Sequence, residues 1–405
     1  MKKAMMAKLI LILASFTLFM GLVTLEATAQ DKIRIGAAIS MSGKFAREGG
    51  LVKGGYDFWR DWVNEQGGIN VKGKKYLVDI IYYDDKSDTM TSAKLTERLI
   101  TEDKVNFLLA PYSSGIAFAT SAIGERYGYI TIAGAANSDA LYERGYKYLF
   151  SVMPPASWDF YYISDLIVQQ KPAPKTIAIL TLDNLFPLLA TDGLRDRIKT
   201  LGLEEVYYTK FPAKTTDFSA MLTVLKAKNP DLVFFGGFFE DSVPFIKQCK
   251  ELNVNAKVYA FLNAPQFDDW VKILGKDGDY VFSVYYWAKG MKWKGPYFDV
   301  ESFAEAFQKK AGHPAHVYNA VGATCGLLLQ IAMEKAGTLE QAKIRDVLSN
   351  MEVTTFYGPF KWDEKGRNIK GRLGCLQIQN GKVVSVDPLD AGAKVIYPTP
   401  PWNKR

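Results

Sequence analysis

The chain has 405 residues, of which 48% are hydrophobic and 23% charged, and a formal net charge of +7. That length and apolar content fill about two ordinary cores. The mild charge, with lysine and glutamate mixed throughout and no basic block carrying interleaved aromatics, excludes a nucleic-acid surface.

Lys2, Lys3 and Lys8 precede an apolar run over residues 9–23, and Ala27-Thr28-Ala29 supplies a small-x-small cleavage pattern. Residues 1–29 therefore read as a secretory signal peptide, cut near Ala29. The run is short for a membrane span, and no later segment is long enough to be one. No cysteine stands near the cut, so a lipid anchor is not expected. The mature chain is expected to be exported and soluble.

Residues 32–39 alternate like a strand and end in Ser40-Met41-Ser42-Gly43. Leu51, Gly55, Trp59, Trp62 and Val63 follow at helical spacing, until Gly67-Gly68 stops the helix. A strand over 76–83 closes on Asp84-Asp85, and Leu95, Leu99 and Ile100 mark a second helix. An apolar run over 105–110 then ends in Pro111-Tyr112-Ser113-Ser114-Gly115. A shorter run over 129–132 ends in Ala133-Gly134-Ala135-Ala136-Asn137-Ser138. The alternation specifies a mostly parallel α/β sheet with helices on both faces.

The rhythm restarts near Phe150. Strands are expected at 176–182, 205–208, 231–235 and 257–261, with helices over 194–200, 217–225 and 243–252 between them. The remainder does not make a third domain. Two helices, 303–311 and 318–336, come without a strand between them, and short β pieces follow at 357–362, 373–379 and 382–386. These should complete the two earlier domains, the helices joining the first and the final strands the second. A chain that crosses between domains more than once makes a hinge. The Pro-rich end, 398–405, reads as loose.

Ligands of open α/β sheets sit beyond the carboxyl ends of strands. The turn at Tyr112, Ser113 and Ser114 and the turn at Ala135 and Asn137 are two such ends, built of small and hydroxyl-bearing residues. Free N–H groups at a helix start favour an anion there. The pair reads as half a site for a small carboxylate, against plain helix capping by serine. In the second domain, Gly236-Gly237-Phe238-Phe239-Glu240-Asp241-Ser242 sets two acids beside two aromatics. Glu240 or Asp241 would hold an ammonium, or Asp241 or Ser242 would cap the following helix. Phe186 and the Tyr285-Tyr286-Trp287 triplet, with Tyr286 at its centre, supply walls for an apolar or aromatic ligand body.

Catalytic constellations are thin. His313 and His316 flank a proline without an acid or cysteine partner, so a helix-start turn is expected rather than a metal site. Cys249, Cys325 and Cys375 have no metal spacing and read as core residues. No cofactor, metal or catalytic residue is expected, and an exported hydrolase is disfavoured because no triad is present.

Together, in order, several motifs resemble the leucine/isoleucine/valine-binding family of periplasmic solute-binding proteins, which serve ABC importers. They are Ile39-Ser40-Met41-Ser42-Gly43, Val63-Asn64-Glu65-Gln66-Gly67-Gly68-Ile69-Asn70, Tyr83-Asp84-Asp85, Pro111-Tyr112-Ser113-Ser114, Ala133-Gly134-Ala135-Ala136-Asn137, Asp217-Phe218-Ser219-Ala220, Gly236-Gly237 and Tyr357-Gly358-Pro359-Phe360. The resemblance implies a type I periplasmic binding protein fold, two doubly wound lobes joined by a three-crossover hinge. Lobe 1 is expected over 30–152 plus 286–354, and lobe 2 over 153–285 plus 355–405. It also implies carboxylate binding at Ser114 and the Ala135 backbone, a contact from Asn137 where the family often has Thr, and an ammonium partner at Asp241 with Glu240 adjacent. The family's second-lobe Tyr falls near Phe186, where no Tyr stands. The expected function is capture of a branched-chain or other hydrophobic amino acid and delivery to ABC transporter permease subunits, by a monomer. The alternatives are an aromatic acid or amide without an amino group, or a ligand-sensing receptor component.

Overall fold

A computed structural model describes residues 31–386 and 392–405. The expected signal peptide lies outside the described residues. The first half runs β1 (Lys32–Ile39), α1 (Ala46–Glu65), β2 (Ile69–Val71), β3 (Lys74–Asp84), α2 (Thr89–Thr101), β4 (Phe107–Leu109), α3 (Ser114–Tyr127), β5 (Thr131–Ala133), α4 (Asp139–Tyr142) and β6 (Leu149–Ser151). After a 3-10 turn at Ala156–Trp158, the chain continues as α5 (Tyr161–Val168), β7 (Thr176–Leu182), α6 (Leu185–Leu201), β8 (Glu204–Phe211), α7 (Ser219–Lys228), β9 (Leu232–Gly236), α8 (Phe239–Glu251), β10 (Val258–Phe261), α9 (Asp268–Leu274) and β11 (Phe282–Tyr285). The last part holds α10 (Val300–Ala311), α11 (Val317–Ala336), α12 (Gln341–Asn350) and β12 (Glu352–Thr355), β13 (Gly358–Lys361), β14 (Gly374–Gln379), β15 (Lys382–Ser385).

Two sheets result. The first has the order β2-β3-β1-β4-β5-β6 and the second β15-β14-β11-β10-β9-β7-β8. Pairing is parallel throughout the first sheet except for the β2–β3 hairpin. It is parallel from β8 to β11 in the second, with β14 and β15 added antiparallel at the edge. The strand order reverses beside β1 in one sheet and beside β7 in the other, which opens a crevice at the carboxyl ends of the neighbouring strands.

The sequence reading differs from the structure in several places. Leu149–Ser151 is the sixth strand of the first sheet and not the start of a second rhythm. The hairpin strand β2 was not expected, since three residues are too few to show alternation. The boundary expected between 354 and 355 falls inside the β12–β13 hairpin. The chain just beyond it is tied to β6, through Trp362 Nε1 donating to Ser151 O (2.7 Å) and Asn368 Nδ2 donating to Val152 O (3.0 Å). Finally, the Pro-rich end is held down. Trp402 is buried, donates its indole N–H to Val254 O and carries the Arg405 guanidinium 3.5 Å over its ring. A large aromatic finds burial worth more than the freedom of a terminal segment.

The two helices of the last part return to the first sheet. α11 is apolar on nearly every face and buried over most of its length, which is the pattern of an internal helix. It packs against α1, where Trp59 donates its indole N–H to Gln330 Oε1 at 3.1 Å. Gly326 faces the same indole, and a Cβ there would stand 2.0 Å from Trp59 Cδ2. Gly326→Ala is therefore expected to lower unfolding free energy by about 1–3 kcal/mol through overpacking. Urea denaturation measures it, and an unchanged midpoint would show that the helix pair can spread at no cost.

Candidate functional site

The carboxyl ends of seven parallel strands meet at one cleft. Tyr112, Ser113 and Ser114 follow β4, Ala135 and Asn137 follow β5, and Met153 follows β6. From the second sheet come Phe186 after β7, Phe238 after β9, Asn263 after β10 and Tyr286 after β11. Tyr318, from the first turn of α11, closes the ring. The space left between these side chains is about 10 Å³, room for about one water molecule.

Ser113 is the N-cap residue of α3, but its side chain makes no capping hydrogen bond. The simple capping reading therefore does not account for it. The Ser114 hydroxyl accepts from the Ser138 N–H at 3.2 Å, which leaves its own proton to donate elsewhere. The Ser138 hydroxyl, also buried, has no partner. Asn137 spends one amide hydrogen on Pro154 O at 2.8 Å, which ties the β5 turn to the first crossing between the sheets. These donors surround the start of α3, where the helix dipole favours negative charge.

The walls are aromatic. Phe186 and Phe238 stack with centroids 6.2 Å apart, and Tyr112 meets Tyr318 edge-on at 5.3 Å. The Tyr318 hydroxyl accepts from Asn263 Nδ2 at 2.7 Å, which joins the two sheets across the back of the cleft. Of the aromatic triplet only Tyr286 lines the cleft. Tyr285 packs against Gly374 of β14, and Trp287 donates its indole N–H to Phe356 O at 3.2 Å. Among the described residues, no Lys, Arg, His, Asp or Glu lines this space.

Glu240 and Asp241 are turned elsewhere. Asp241 is buried and accepts from the Phe238 N–H at 3.0 Å, the capping role, with Lys44 Nζ 3.9 Å away. Burial raises its carboxyl, and Lys44 and the Phe238 N–H pull it back. Glu240 stands at the rim and pairs with Arg47 at 3.3 Å. The Arg47 guanidinium also lies 4.1 Å over Phe239 and 4.3 Å over Phe267, and 2.5 Å from the buried Glu48. Lys44 sits on the β1–α1 connection and Arg47 in the first turn of α1. Asp84 fixes that connection by accepting from the Met41 N–H (2.9 Å), and Asp85 by accepting from the Ser40 hydroxyl (2.6 Å). Two cations of the first-sheet side thus grip the start of α8 on the other, a contact the sequence reading did not foresee.

Residues missed at the cleft are Met153, Asn263 and Tyr318. Asn263 was within reach, because it ends a strand like the others. Tyr318 lies on a helix start, outside the strand-end rule. His316 caps that helix, its Nδ1 accepting from the Tyr318 N–H at 3.2 Å, and burial pushes its pKa down to about 4. No group of three metal-ligating side chains occurs among the described residues. The three cysteines are buried and none forms a disulfide among the described residues, in keeping with core positions.

A family model described as periplasmic binding protein matches residues 32–382, and the chain belongs to that family of solute-binding proteins. The type I fold expected from the motifs is the one observed. Among curated relatives, Leu/Ile/Val-binding protein homolog 7 of Brucella abortus is 25% identical over 395 residues, covering 91% of this chain and 94% of its own. The branched-chain amino acid transporter substrate-binding protein LivJ of Streptococcus pneumoniae, solved with isoleucine, superposes with a TM-score of 0.76 at 21% identity, covering 91% of this chain and 100% of that one. An ABC transporter solute-binding protein from R. palustris, solved with benzoate, gives 0.75 at 19% identity, covering 88% and 96%.

If Glu240 only bridges the rim, Glu240→Gln should change affinity for a small carboxylate ligand by less than about 1 kcal/mol, the usual worth of an exposed pair. Titration calorimetry reads this. A loss of several kcal/mol would restore Glu240 as a ligand partner.

Proposed function

We propose that this is an exported, non-enzymatic binding protein that captures a small aromatic carboxylic acid without an ammonium group and hands it to the permease subunits of an ABC importer. The supporting observation is the composition of the cleft. It offers neutral donors at the start of α3 for a carboxylate and aromatic walls for a ring, while both acids available for an ammonium serve a helix cap and a rim contact. An ammonium stripped of water in such a space needs a carboxylate or several acceptors aimed at it. The benzoate complex of the R. palustris protein supports the same ligand class. The chain acts as a monomer in the periplasm, and no helix among the described residues is long and apolar enough to cross a membrane.

Lobe 1 comprises 30–152 with 286–354 and the β13 segment that clings to β6. Lobe 2 comprises 153–285 and the chain from about β14 onward. The ligand closes them, and the Lys44 and Arg47 contacts hold the closed form.

Calorimetry with benzoate and with leucine tests the ligand class. Benzoate should bind at least roughly tenfold tighter, a difference of about 1.4 kcal/mol. Tighter binding of leucine would favour the second reading, a hydrophobic amino acid, which the names of the relatives support. In either case Ser114→Ala should weaken binding by about 1–3 kcal/mol, the cost of a lost bond to a charged group. It should leave the ligand-free melting temperature nearly unchanged. A fall in stability with no loss of affinity would make Ser114 a structural residue.

A further inference from the structure

Asp159 is an acid buried directly behind the cleft wall. It follows the 3-10 turn at Ala156–Trp158 on the first crossing between the sheets and is fully buried. Its Oδ2 lies 2.7 Å from the hydroxyl of Tyr286, the cleft residue at the start of the second crossing. Its Oδ1 has no partner, and no cation pairs with it among the described residues. Tyr357, in the turn between β12 and β13, interacts electrostatically with Asp159, and its own buried hydroxyl is likewise without a partner. So the first crossing, the second crossing and the hairpin that precedes the third are brought together around one carboxyl group.

A carboxylate needs several donors to replace water, and this one has a single neutral hydroxyl. A carboxylic acid needs far less, because it can give its own proton to that hydroxyl. We propose that Asp159 is a positioning residue, a buried carboxylic acid that donates to the Tyr286 oxygen and so leaves the Tyr286 O–H free to donate to an acceptor atom of the ligand. The proposal rests on the reading of the cleft as a carboxylate site. An ionised Asp159 would instead claim that proton, and Tyr286 would face the ligand as an acceptor only. Burial pushes the Asp159 carboxyl well above the usual carboxylate range, the Tyr286 hydroxyl opposes this, and Asp139 adds to it. The groups that face it are Tyr286, Asp139, Tyr318 and Tyr357. Asp139 is itself occupied, accepting from the Ser157 N–H and hydroxyl at 3.0 Å each.

Two measurements test this. The first uses the ligand-free protein. A carboxyl whose folded pKa is raised contributes stability that is fully present below about pH 4 and is lost as pH rises from there towards its folded value. The melting temperature of Asp159→Asn relative to the unaltered protein should therefore increase between about pH 5 and about pH 8. A difference independent of pH overturns the neutral-acid assignment. The second is benzoate calorimetry. Asp159→Asn, whose amide can donate as the acid does, should bind within about threefold of the unaltered protein, while Asp159→Leu and Tyr286→Phe should each lose roughly tenfold or more. Unaltered binding by Tyr286→Phe overturns the proposal even if Asp159→Leu fails to fold. If benzoate does not bind at all, the aromatic-acid reading fails, and the same variants titrated with leucine decide the role of Asp159.

Discussion

Parallel β-strands all point the same way, so their carboxyl ends, with the helix starts that follow, accumulate on one edge of a sheet. In this protein two such edges face each other, and nearly everything about the cleft depends on that. Seven strands deliver a turn each to one small space. Each turn brings backbone N–H groups that the sheet no longer uses, and β4 and β9 are followed at once by helices whose dipoles add to them. The result is a cleft lined by neutral groups, with the cations nearby, Lys44 and Arg47, bridging the rim.

That division of labour explains the two acids on α8. A carboxylate at the first turn of a helix is stabilised wherever it stands, by the dipole and by free N–H groups. Asp241 takes that stabilisation through the Phe238 N–H, and its side chain is then directed back along the turn and not into the cleft. The same bond sets the direction in which Phe238 leaves the helix start, so the cap also shapes the aromatic wall.

Much of this was legible in the chain. The strand-end rule, applied to apolar runs that stop in small or aromatic residues, placed Tyr112, Ser113, Ser114, Ala135, Asn137, Phe186, Phe238 and Tyr286, and the structure brings these together. The rule was not applied at the end of β10, where it would have found Asn263. The short strands β2 and β6 escaped because three residues carry no periodicity. The orientation of Glu240 and Asp241 was not legible, for capping and ligand binding ask for the same residue type at the same place. Their partners decide between the two, and Arg47 lies 193 residues away from Glu240 in sequence. The pinned end of the chain was hidden by its prolines, although Trp402 was a sign that something there is buried.

The cleft is walled by phenylalanine and tyrosine, while Trp287 sits just beyond Tyr286 with its indole bonded to the carbonyl of Phe356. Among the described residues no tryptophan lines the space a ligand would fill. The chain has eight tryptophans, so its intrinsic emission samples the surroundings of all of them, Trp287 beside the cleft residue Tyr286 included. A ligand in the cleft would therefore change the spectrum through the surroundings of an indole and not by lying against one among the residues that line the space.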